Sequence, residues 1–123
     1  MENKEKEIAE KFDRIYGCLR KLEEDITKIF KNNNIYIGAV DIRKLDDDNM
    51  WEEYGEFPPS GLRFCFSNHE RQLVIPFSVL HAIEDRAKKE DCLLTITQNG
   101  DIGCKSLYLY LNIDLSYWKI KEL

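Results

Sequence analysis

The stretch Ile8–Phe30, IAEKFDRIYGCLRKLEEDITKIF, decides the fold. Its apolar residues Ile8, Phe12, Ile15, Leu19, Leu22, Ile26 and Ile29 recur at steps of 4, 3, 4, 3, 4 and 3, which fits the helical period and not the two-residue period of a strand. Ala9, Tyr16 and Phe30 widen the stripe by one position, giving a face broad enough to cover a sheet. On the opposite face Glu7 precedes Lys11, Glu10 precedes Arg14 and Glu24 precedes Lys28 by four residues, the favoured order for helical ion pairs. Asn32-Asn33-Asn34 supplies the left-handed residues that end such a helix. A helix over residues 4–31 would be roughly 40 Å long at 1.5 Å per residue, longer than so small a domain. It is expected to overhang, or to mate with a second copy through Phe12, Ile15, Leu19, Leu22 and Ile26.

Downstream the period changes to two. Ile35–Arg43 is apolar on both faces and reads as an interior strand covered on each side. Leu62, Phe64 and Phe66, then a turn at Ser67-Asn68-His69-Glu70, then Leu73, Ile75 and Phe77 read as a hairpin. Ser78 is the expected N-cap of a second helix running to about Glu90. Cys92, Leu94 and Ile96 continue as a strand facing Leu107, Leu109, Leu111, Ile113 and Leu115. A two-residue turn at Asn99-Gly100 would set Leu94 against Lys105, so a bulge near Gly103 or a longer connection is required. The expected architecture is one α+β domain over residues 1–123: a long helix (1–31), then a largely antiparallel sheet of about five strands with a shorter helix (32–123).

Composition narrows the function. The chain has 123 residues, net charge -5 and 43% hydrophobic residues, enough for one core with little room for a large cleft. An acidic balance argues against direct nucleic-acid binding, which needs an excess of Lys and Arg. The longest run free of charge, Gln72 to Ile83, is too short to span a bilayer and contains Pro76, so no membrane association is expected. The mixed charges of residues 1–7 predict no secretory signal, hence a cytoplasmic protein with Cys18, Cys65, Cys92 and Cys104 reduced.

Motifs for chemistry are missing. None of the six glycines forms a phosphate loop. His69-Glu70-Arg71-Gln72-Leu73 opens like a zinc-protease signature but has Leu where the second histidine must stand. His81 with Glu84 and Asp85 shares a helix face, an ordinary surface arrangement. Asp46-Asp47-Asp48-Asn49 lacks the alternating oxygens and the sixth-position glycine of a calcium loop. No nucleophile can be matched with a base, so neither enzymatic activity, nor a metal, nor a cofactor is expected. Tyr108 and Tyr110 share a strand face and would suit base stacking, yet tyrosine is a favoured strand residue anyway.

The informative feature is where charge sits. Residues 1–40 carry eight acids and eight bases, residues 58–123 eight of each, and residues 41–57 seven acids and two bases. The loop at 44–61 thus holds Asp46, Asp47, Asp48, Glu52, Glu53 and Glu56, interleaved with Trp51, Tyr54 and Phe57. Aromatics anchor interfaces and like charges steer a partner of opposite sign, so Asp46, Asp47, Asp48, Trp51, Glu52, Glu53, Tyr54 and Glu56 are the expected protein-binding residues. The alternative is a loop that folds its rings back on the core and leaves its acids in water. The expected function is inhibition of a nucleic-acid-handling protein with a basic surface, such as a nuclease or a CRISPR effector. In size and charge alone the chain is similar to antitoxins, toxin-immunity proteins and anti-CRISPR proteins. Two further readings are a homo-oligomeric accessory protein built on the long helix, and a small-ligand or second-messenger domain using Arg63, Arg71 and the tyrosine face.

Overall fold

A computed structural model describes residues 2–44, 58–68, 74–99 and 107–116. Helix α1 spans Glu2–Asn32, strand β1 Ala39–Lys44, β2 Pro59–Asn68, helix α2 Phe77–Lys88, β3 Cys92–Asn99 and β4 Leu107–Leu115. The four strands form an antiparallel sheet in the order β1-β2-β4-β3, with both helices packed on one face. The class is α+β, as expected, with four strands among the described residues against the expected count of about five.

Helix α1 ends as its sequence dictates. Asn34 adopts a left-handed φ of 57°. The amide of Asn34 donates to the carbonyl of Lys31 at 3.1 Å and that of Ile35 to Phe30 at 3.0 Å, the paired bonds of a Schellman cap. Ile35 then packs on the core into which Phe30 is sunk. The stripe Ile15, Leu19, Leu22, Ile26 and Phe30 is wholly buried with Leu62, Phe64 and Phe66 of β2, Leu111, Ile113 and Leu115 of β4, and Val79, Ile83 and Ala87 of α2. Phe30 sits 5.7 Å from the Phe64 ring and 5.1 Å, edge-on, from Phe66. On the helix–helix side Arg86 Nε donates to Asp25 Oδ2 at 2.8 Å. That bond holds the Asp25 carboxyl below the ordinary aspartate range.

The expected helix-mediated dimer assigned its contacts to residues that this packing already uses. Phe12, Ile15, Leu19, Leu22 and Ile26 are buried within a single chain, so the seam read as a mating surface is already filled by the sheet and α2. Heptad spacing identifies a buried stripe; it does not say what buries it.

Three strand readings also change. β1 is an edge, not an interior strand: Tyr36, ahead of it, is 84% exposed and Ile42 is exposed too, so apolar residues on both faces did not imply cover on both. Phe77 starts α2 instead of ending a strand, and Val74–Pro76 is irregular chain; Leu73 and the turn residue His69 lie outside the described residues. β2 pairs with β1 and β4, not with a following strand. The N-cap of α2 is Pro76, whose carbonyl accepts from Val79 at 3.0 Å and Leu80 at 3.2 Å, placing Ser78 inside the first turn. The β3–β4 register pairs Leu94 with Ile113 and Asn99 with Tyr108, so Asn99 belongs to the paired strand and not to a two-residue turn with Gly100; the bulge or longer connection read near Gly103 lies outside the described residues.

Candidate functional site

The expected partner-binding residues Asp46, Asp47, Asp48, Trp51, Glu52, Glu53, Tyr54 and Glu56 lie outside the described residues. Their two attachment points are described. Lys44 closes β1 and is the register partner of Pro59, which opens β2, after a register shift between Arg43 and Lys44. The acidic segment therefore departs from and rejoins the sheet at one corner. Pro58, Pro59, Ser60 and Gly61 are all buried at that corner. Gly61 faces Asp114 of β4, and a Cβ there would collide with the carbonyl oxygen of Ile113 and lie 2.5 Å from Asp114 Oδ1. Only glycine permits this approach.

An ion pair braces the same corner. Arg43 Nη1 donates to Asp114 Oδ1 at 3.1 Å and Oδ2 at 2.9 Å, tying edge strand β1 to β4 across β2. Burial pushes the Asp114 carboxyl up, outweighing the opposite pull of Arg43 and Arg63.

The sheet face turned away from the helices carries a chain of side-chain bonds. Arg63 Nε donates to Asn112 Oδ1 at 2.9 Å, and Asn112 Nδ2 donates to Thr97 Oγ1 at 3.2 Å, linking β2, β4 and β3. Asn112 is 2% exposed. The Arg63 guanidinium lies 5.0 Å over the Tyr110 ring. This face therefore brings together Arg63 and Tyr110, two groups of the small-ligand reading, but engages them with each other. One side of the Tyr110 ring is taken by the guanidinium, which removes half of the stacking platform considered for bases. Asp41 and Asp114 balance Arg43 and Arg63, so the face offers no net positive field to an anion. Among the described residues no buried side-chain nitrogen or oxygen lacks a partner, and no three His, Cys, Asp or Glu side chains converge on a metal position.

The cysteines Cys18, Cys65 and Cys92 are thiols. Burial raises the Cys92 thiol to about 12, and its S–H donates to the Glu90 carbonyl at 3.6 Å, an inert structural arrangement. Among the described residues no helix is long and apolar enough to cross a membrane.

A second surface was missed by sequence reasoning. Phe77, Leu80, His81 and Glu84 of α2 and Leu94 and Ile96 of β3 line a shallow groove of about 430 Å³. His81 and Glu84 do share a helix face as read, but the Glu84 carboxylate pairs with Lys88 at 3.2 Å. The available signal was Phe77, an aromatic directly after Pro76: at the first turn of a helix it faces outward, and it is 80% exposed.

Comparison with known protein families, with characterised proteins and with solved structures finds no match.

Proposed function

We propose that the protein works in the cytoplasm by binding another protein, as an inhibitor of a nucleic-acid-handling protein, through the acidic, aromatic segment between β1 and β2. What supports this reading is the Lys44–Pro59 pairing: a segment with six carboxylates, no basic residue and three aromatic rings is joined at both ends to one braced corner of the sheet. A braced stem fixes where the two ends of such a segment stand before a partner arrives. Clustered carboxylates steer a basic surface toward it and compete with nucleic acid for that surface, while Trp51 and Tyr54 supply the buried anchors. Antitoxins, toxin-immunity proteins and anti-CRISPR proteins are the kinds of inhibitor this chemistry suits.

The experiment is affinity capture from host lysate, comparing the natural chain with D46K/D47K/D48K. The natural chain should retain a nucleic-acid-handling protein in a salt-sensitive way, and the reversed chain should release it.

A further inference from the structure

We propose that the free edge of β3, with the groove beside it, joins a second copy of this chain edge to edge in a two-fold dimer whose sheet takes four strands from each copy. This surface is distinct from the acidic segment and does not depend on its role.

The two sheet edges differ in kind. β1, AVDIRK, carries Asp41, Arg43 and Lys44 and an irregular register at its end, the devices that discourage edge-to-edge pairing. β3, CLLTITQN, has neither a charge nor a proline over eight residues. Among the described strands only β4 pairs with it, and no described strand lies along its other side. Apolar surface flanks that side on both faces of the sheet: Leu93, 66% exposed, on one, and Ile96, 48% exposed, beside Phe77 on the other. An uncharged, β-prone edge between two apolar margins is a pairing surface.

Charge selects the occupant. The segment that carries six of the carboxylates behind the net charge of -5 is attached at Lys44 and Pro59, on the side of the sheet away from β3, and β1 lies roughly 14 Å from β3 at the usual strand spacing. Two copies meeting through β3 keep the attachment points of these segments at the outer ends of the joint sheet, away from the contact. At the contact, Glu84 is already neutralised by Lys88. A stable interface buries about 1,000 Å² or more in total. An eight-residue edge and a groove flank from each copy are of that order, Phe77 alone bringing roughly 150 Å².

Sedimentation equilibrium of the full chain from about 1 to 200 µM tests this, alongside I96K and F77D, with far-UV circular dichroism to verify folding. The natural chain should be dimeric in the upper part of that range, and each folded variant should dissociate at least tenfold more readily. Either variant suffices if the other fails to fold. D46K/D47K/D48K should dimerise like the natural chain. A monomer throughout the range, which would leave the edge to a strand of some other protein, overturns the proposal. So does a dimer that I96K and F77D leave intact, or one that D46K/D47K/D48K abolishes.

Discussion

Lys44 and Pro59 stand opposite each other in the β1–β2 register, with the whole acidic run of the chain between them. Because the strands are already paired where the segment leaves, its length contributes little to the closure entropy of the sheet. Replacing residues 45–57 by a four-residue Gly/Asn turn should therefore leave a cooperatively folded protein, with a midpoint within about 5 °C of the natural one, since ~1 kcal/mol corresponds to a few degrees in a domain this size. Thermal unfolding checks it. A chain that no longer folds would mean that Trp51, Tyr54 and Phe57 form part of the core.

Gly61 sets how closely β2 approaches β4. A methyl group there meets the Ile113 carbonyl and the Asp114 carboxylate, so Gly61→Ala should destabilise by about 1–3 kcal/mol through forced strand separation. Denaturant titration should show a lower midpoint at unchanged slope.

Asn112 joins three strands. Asn112→Ala removes the acceptor for Arg63 and the donor to Thr97 at a nearly unexposed position, and should cost about 2 kcal/mol. A double-mutant cycle with Thr97→Ala should give a coupling energy above ~0.5 kcal/mol; strict additivity would contradict the bond.

Two carboxylates titrate with opposite sign. Asp25 is held low by Arg86, so its ionised form favours the folded state: the contribution is present above the ordinary aspartate value near 3.8 and is lost as pH falls through its lower folded value. Asp114 is held high by burial, so its protonated form favours the folded state, and its contribution, full below 3.8, is lost as pH rises through its higher folded value. The midpoint difference between the natural chain and Asp25→Asn should accordingly shrink on acidification below about pH 4, while acidification from neutrality should relieve an unfavourable term that Asp114→Asn lacks. Thermal unfolding of both variants from pH 3 to 7 checks the signs.

How much of this was legible follows from what each signal encodes. The steps from Ile8 to Ile29 fix α1 and its buried face because one helix has one face, and Asn34 marks its end. The same steps are silent on whether a second copy or the chain's own sheet covers that face. Alternation at Leu62–Phe66 and Leu107–Leu115 reveals the inward residues but not which strands are neighbours, so pattern alone joins β2 to the wrong partner and sets β1 inside the sheet. Ile75 and Phe77 alternate like a strand, yet the carbonyl of Pro76 is free to start a helix, and local bonding to Val79 and Leu80 prevails. Charge clustering was readable by counting. The buried stem at Pro58–Gly61, the Arg43–Asp114 brace and the α2–β3 groove were not, since each depends on residues brought together from distant parts of the chain.

The central claim is tested most directly by capturing proteins from host lysate on the immobilised natural chain and on D46K/D47K/D48K at low and at raised salt, with mass-spectrometric comparison of what each retains. A basic nucleic-acid-handling protein held by the natural chain, weakened by salt and lost from the reversed chain, is the expected result. The same protein retained equally by both chains, with unchanged salt dependence, would contradict the assignment of binding to the acidic segment.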